Sequence, residues 1–268
     1  MTTKEKTLWA AIVIVLGGVG YVTYNFFAGG AANAPPKSQV MPPPMAAPSA
    51  EPAVHNPIPG DASGDASKPL PTLADSDSAL AEALGQLFGQ DTVAAQLVRE
   101  NIVRNIVVTV DNLPRQKVAV ERRPVKATAG ATRVTGDADS GDVVTLNVKN
   151  YARYAPFVKA VQAADVQQVG ALYFHWYPLF QQAYEDLGYP GKYFNDRLVE
   201  SIDDLLKTPD VAGPIRLVRP KVFFEYADPA VESRSAGQKL LIRMGPDNAA
   251  AIKAKLRDLR AVVAGRKP

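Results

Sequence analysis

Six carboxylates crowd into the twenty residues from Glu185 to Asp204: Glu185, Asp186, Asp196, Glu200, Asp203 and Asp204. Two such groups facing each other across a cleft can serve as acid and base in glycoside cleavage. The spacing also admits a plainer origin. Asp196, Glu200 and Asp203 recur at i, i+4 and i+7, which places them on one face of a helix, as the wet side of an amphipathic segment would be. His175 is the other candidate for proton transfer. It is the only histidine after residue 55, so it has no second imidazole with which to form a metal site or a relay.

The remaining signatures of chemistry are mostly missing. The chain has no cysteine, which excludes disulfides, thiolate nucleophiles and cysteine-bound zinc together. It contains no GxSxG elbow, no GxxxxGK[ST] phosphate loop and no HExxH pair. Asp137, Asp139 and Asp142 suggest a calcium loop, but the glycine and the closing glutamate of an EF-hand are absent. No catalytic, metal-binding or cofactor-binding residue is therefore assigned. What stands out instead is a turn. Within GYPGKY (188–193), Tyr189 and Tyr193 flank the turn, with Lys192 between them and Arg197 just beyond. Amphipathic aromatics beside cations are favoured at contact surfaces. Tyr189, Lys192, Tyr193 and Arg197 are accordingly the candidate partner-binding residues.

The elements that must hold this turn can be read from periodicity. Tyr173, Trp176 or Tyr177, Phe180, Tyr184 and Leu187 follow at steps of three or four and predict a helix opened by Asp165 and closed at Gly188. Pro178 lies inside it and should kink it. His175 falls on the polar side. After the turn, Asn195 is expected to cap a helix that buries Phe194, Leu198, Ile202 and Leu205. Upstream, LPTLADSDSALAEALGQLFG reads as a helix ended by Gly89, and a long helix is expected from Asp91 to Asn112. The run IVVTV within it also has strand propensity, but the i, i+4 stripe favours the helix. Residues 116–142 lose periodicity and read as an exposed loop. Asn150 is expected to open the next helix. PIRLVRPKVFFEYADP carries a short hairpin signal, and Pro246 starts a final helix burying Ala249, Ile252, Leu256, Leu259 and Val263 opposite Lys253, Lys255, Arg257 and Arg260. The fold class is mostly α, with one short β-hairpin.

The N-terminal part has a different character. LWAAIVIVLGGVGYVTYNFFA (8–28) is uncharged and, at 1.5 Å per residue, spans roughly 31 Å, the thickness of a bilayer core. Lys4 and Lys6 precede it and keep residues 1–7 in the cytoplasm. A cleaved signal peptide ending at Ala32-Asn33-Ala34 is the alternative, but the apolar run is longer than a signal core of ~7–15 residues and the cut would precede Pro35. Residues 29–69 hold 10 of the 22 prolines and no Phe, Trp or Tyr, so they are expected to form a disordered Pro/Ala-rich linker, with His55 solvated. The folded domain is expected at 70–268. A net charge of +3 without any basic block argues against nucleic acid as a partner.

TLADSD (72–77), TVDNLPR (109–115), GYPGKYFNDRLVESIDDLLKTP (188–209) and QKLLIRMGP (238–246) resemble, in the same order, segments of an uncharacterised family of proteobacterial inner-membrane-anchored envelope proteins, a domain of unknown function. The resemblance extends over residues 70–268. It implies a Gram-negative source, a single-pass inner-membrane anchor and a periplasmic domain, and it brings no activity, cofactor or catalytic residue. The expected function is a membrane-tethered, non-enzymatic binding or scaffold domain, with an envelope protein or peptidoglycan as partner. A peptidoglycan hydrolase using carboxylates in 185–204 is the alternative.

Overall fold

Leu80, Leu84 and Phe88 recur on one face of helix α1 (Ser76–Phe88), and that face is buried. The computed structural model describes residues 54–58, 69–117, 120–126, 128, 130–137, 141–221 and 223–264. The apolar span 8–28 and most of the linker 29–69 lie outside the described residues. Among the described residues, no helix is long and apolar enough to cross a membrane.

Gly89, at φ 83°, ends α1. The long helix expected from Asp91 to Asn112 is two helices, α2 (Gln90–Gln96) and α3 (Ile102–Asn112). The chain breaks where Leu97 leaves the helix to form a bridge with Val125, and Asn101 turns left-handed at φ 52°. Asp77 of α1 stabilises the break. Its carboxylate accepts the N–H groups of Asn101 and Ile102 at 2.6 and 2.8 Å, acting as a cap supplied from another helix. Residues 102–110 are helical, and IVVTV buries Ile106, Val107 and Val110.

Asn150 does not open the next helix. Asn147 caps a 3₁₀ segment (Val148–Tyr154) by accepting Lys149 N–H at 2.9 Å, and this leads into α4 (Ala155–Ala163). Asn150 is fully buried instead, and clamps Arg133 by accepting its N–H at 2.9 Å. Helix α5 (Val166–Asp186) is capped by Asp165 as expected and runs continuously through Pro178. Tyr173, Trp176, Tyr177, Phe180 and Tyr184 are buried along it, while Leu187 is left exposed past its end. His175 is half-buried, its ring set edge-on to Trp176 at 6.1 Å. After Gly188 (φ 108°) and Gly191 (φ 74°), helix α6 (Phe194–Leu206) returns along the core.

The β structure exceeds the single hairpin expected. Four short strands, β1 (Val134–Thr135), β2 (Val144–Leu146), β3 (Arg216–Val218) and β4 (Glu225–Tyr226), form one antiparallel sheet in sequential order. Leu217 pairs with Val144 on one side and Tyr226 on the other. The hairpin signal found only β3 and β4. β1 lies within the presumed loop 116–142 and has two residues, too few to show alternation. A one-turn helix, α7 (Pro229–Glu232), precedes α8 (Ala236–Met244) and α9 (Pro246–Val263).

Helix α8 is the hinge of the packing: all nine of its residues are buried. Leu240, Leu241 and Met244 join the helical core, and Ile242 joins a smaller cluster beneath the sheet with Leu146, Leu217 and Tyr226. A helix buried all round can carry polar groups only if they are paired. Lys239 donates to Glu232 at 2.8 Å, and Gln238 donates to Asp204 at 2.9 Å. Helix α9 packs on α4, α5, α6 and α8. Its five expected core residues are buried, but so is Lys253, which the wheel placed among exposed cations. Its ammonium donates to the Thr208 carbonyl at 2.6 Å, which explains the burial.

Candidate functional site

The Tyr-rich turn between α5 and α6 borders an open cleft of about 1030 Å³, and Tyr189, Lys192, Tyr193 and Arg197 all line it. The volume lies at the upper end of ordinary ligand pockets. A second cavity, about 40 Å³, is walled by Leu80, Phe88, Ile106, Trp176 and Leu198, has almost no polar surface, and is a dry packing void.

The floor of the cleft is a charged network that the sequence did not reveal. Asp111 sits in the last turn of α3 with its side chain only 5% exposed. A carboxylate there opposes the negative end of the helix dipole and needs cations to hold it. Arg115 donates to its Oδ2 at 2.7 Å, and Arg197 donates to its Oδ1 at 3.1 Å and also reaches its main-chain carbonyl. Arg197 in turn binds Glu200 at 2.7 Å. Tyr189 completes the network: its hydroxyl accepts from Arg115 at 2.5 Å and donates to Asp111 at 3.3 Å. The only local hint was the i, i+4 pair Asp111 and Arg115 within TVDNLPR.

These bonds divide the four predicted residues. Arg197 is committed to Asp111 and Glu200, and acts as a clamp between α3 and α6. Tyr189 is fixed by its hydroxyl and by stacking on Tyr184 at 4.6 Å, with the Lys192 ammonium 5.4 Å from the centre of its ring. Burial, with the Asp111 charge added, pushes the Tyr184 hydroxyl up to about 12, while Arg197 pulls it partly back. Tyr193 packs on Tyr177 at 5.5 Å. The exposed Lys192 and the half-buried rings of Tyr189 and Tyr193 are thus the parts facing solvent.

Asp196, Glu200, Asp203 and Asp204 share the cleft. Each is bonded within the fold. Asp203 pairs with Arg260, whose Nη2 lies 2.9 Å away, and Asp204 accepts from Ser235 and Gln238 at 2.6 and 2.9 Å. Glu185 accepts from Gln181 at 2.7 Å. Among the described residues, no cluster of three or more His, Asp or Glu side chains is arranged to hold a metal ion.

Asn195 is not the N-cap expected of it. Tyr193 occupies that position, and Gln181 of α5 receives the Phe194 N–H at 2.8 Å. Asn195 is fully buried, accepting from Tyr173 at 3.0 Å and donating to the Val263 carbonyl at 2.8 Å. Beside it, part of the expected disordered linker is seated on the domain. Asp196 accepts the N–H groups of His55 and Asn56 at 3.1 and 2.7 Å. The side chain of His55 remains exposed.

A family described as a protein of unknown function, DUF3014, matches residues 102–260, more than half of the chain. The match contains the cleft floor, the turn and both helices that flank it. No curated protein and no solved structure matches the chain.

Proposed function

The chain belongs to the DUF3014 family of proteins of unknown function, and we propose that it is a membrane-tethered, non-enzymatic binding or scaffold domain of the Gram-negative cell envelope. In this reading residues 8–28 anchor it in the inner membrane, residues 1–7 are cytoplasmic and the helical domain is periplasmic. The contact site is the cleft edge formed by Tyr189, Lys192 and Tyr193, with Arg197 fixing the edge to the floor. One observation carries the proposal. The cleft is large and rimmed by aromatic and cationic groups, while its carboxylates are engaged by donors from the protein itself. A general acid or base needs a free proton-transfer path to substrate; a recognition surface needs rigid, pre-placed rings and charges.

The sharing of one cleft by Asp196, Glu200, Asp203 and Asp204 is what favours the alternative, a peptidoglycan hydrolase. The two readings separate when the full chain, solubilised in detergent, is mixed with purified peptidoglycan. Sedimentation without released product supports binding to the wall. Soluble muropeptides support the hydrolase. Replacing Tyr189 and Tyr193 by Ser, with the helical circular dichroism retained, is expected to abolish recovery of the partner. Unchanged recovery of every ligand from wall and envelope extract would retire the site.

A further inference from the structure

Residues 54–58, VHNPI, lie along one end of the cleft in a manner that resembles a bound peptide. The backbone bends at His55 and Asn56. Both oxygens of the Asp196 carboxylate are used: Oδ2 accepts the His55 N–H at 3.1 Å, and Oδ1 accepts the Asn56 N–H at 2.7 Å and the Asn56 side-chain amide at 2.9 Å. Residue 57 is proline and has no N–H to satisfy. The next N–H, of Ile58, reaches the Tyr193 hydroxyl at 3.4 Å, and the Ile58 side chain packs on the helical core. Consecutive backbone donors of the segment are thus received by Asp196 and Tyr193 at the start of α6.

The receiving side is built for this. Asn195 is fully buried and its carbonyl oxygen is held by Tyr173. Of its two amide hydrogens, one is fixed on Val263 and the other points out to the Asn56 carbonyl at 2.8 Å. A buried amide left without that carbonyl would lose a hydrogen bond in a place of low dielectric. Asp196 lies in the first turn of α6, where the helix dipole favours its charge, so the acceptor is present before the segment arrives.

We propose that Asp196, Asn195 and Tyr193 form a recognition site for a short peptide bent at an Asn-Pro step, and that residues 54–58 are its resident occupant. The proposal rests on the reading of the cleft as a binding surface and specifies the ligand taken at this end. A partner carrying an Asn-Pro bend competes with the protein's own segment. Ten residues of sequence, 59–68, join Ile58 to the domain, so the resident segment acts at an effective concentration on the order of millimolar. A free peptide gains access only when that segment is weakened.

The experiment uses the full chain and a fluorescent peptide of residues 53–59, AVHNPIP. First, hydrogen exchange reports the resident segment. The amides of His55 and Asn56 are expected to be protected in the wild type and to exchange as in a free chain in Asp196→Asn. Second, the Asn56→Ala/Ile58→Ser variant, which releases the segment while leaving the recognition residues intact, is expected to bind the peptide at least about 10-fold more tightly than the wild type does. Adding Asp196→Asn to that variant should remove the gain, and a peptide with the Asn-Pro order reversed should not bind. Free-chain exchange at His55 and Asn56 in the folded wild type would overturn the proposal. So would a released variant that binds AVHNPIP no better than the reversed peptide. Loss of peptidoglycan binding alongside intact peptide binding would overturn only the broader wall-binding reading and support this one.

Discussion

Replacing Asp111 by Ala tests whether the cleft floor is a structural clamp. In the native protein its carboxylate receives Arg115 at 2.7 Å, Arg197 at 3.1 Å and Tyr189 at 3.3 Å, and only 5% of the side chain is exposed. Its removal leaves Arg197, 15% exposed, with its charge opposed only by Glu200, which is itself 61% exposed. Removing one partner of a buried pair costs about 3–5 kcal/mol because the other charge remains desolvated. Arg115, 48% exposed, sits on the same carboxylate but in contact with solvent, so Arg115→Ala should cost only about 0.2–1 kcal/mol. A third variant isolates the cause. In Asp111→Ala/Arg197→Met the stranded cation is gone, so the double change should cost about 1–3 kcal/mol less than the sum of the two single changes. Urea unfolding of a fragment carrying residues 54–268 measures the wild type, Asp111→Ala, Arg115→Ala, Arg197→Met and the double variant, with an unchanged m value as the check that one transition is compared. The reasoning fails if Asp111→Ala lies within about 1 kcal/mol of wild type, or if the double variant equals the sum of the singles.

Truncating Phe180 or Leu198 to Ala should cost about 2–5 kcal/mol in the same assay, since both side chains are buried; His175→Ala should stay within about 0.5 kcal/mol, and a larger loss would show that its contact with Trp176 is structural. Burial raises the Tyr226 hydroxyl to about 12 despite the opposing pull of Arg243, while the hydroxyl donates to the Lys239 carbonyl at 2.6 Å. The unfolded chain releases this proton near 10 and the folded one near 12, so the contribution is complete below pH 10 and is lost as pH rises to 12. Its size is on the order of 3 kcal/mol, and alkaline unfolding of Tyr226→Phe should be flatter across that window. The full-length protein is expected to remain uncleaved and to fractionate with the inner membrane; a mature form beginning near Pro35 in the soluble periplasm would defeat the anchor.

The parts of the fold that could be read from the chain are those whose determinants are local. The aromatic stripe on α5, the Asp165 cap, the stop at Gly188 and the apolar face of α9 each lie within a few turns of their own causes, and each is found in the structure. The rim of the cleft was legible to the same extent. Two tyrosines around a Pro-Gly turn form a local pattern, and the rim of the cleft is where they lie. The floor was not, because its partners are distant: Arg197 meets Asp111 across 86 positions, and Asp196 meets His55 across 141. A helical wheel assigns a charged residue to solvent whenever it falls off the apolar stripe. That rule fails wherever another element covers the polar face. Lys253, Asp196 and Asp203 were all assigned to wet faces, and each is instead a tie to another part of the chain. The strands show the opposite failure, with too little sequence in each for any pattern to register. On this view the polar positions of α6 are the ones to substitute first, since they tie the cleft to α3, to α9 and to the 54–58 segment. Leu198 and Ile202 on the same helix are buried whether or not any partner exists. Asp196 holds the 54–58 segment from the partly exposed side of the helix, whereas Asn195 also ties Tyr173 to Val263 in the core, so Asp196 is where a change in binding of the segment can be separated from a change in stability.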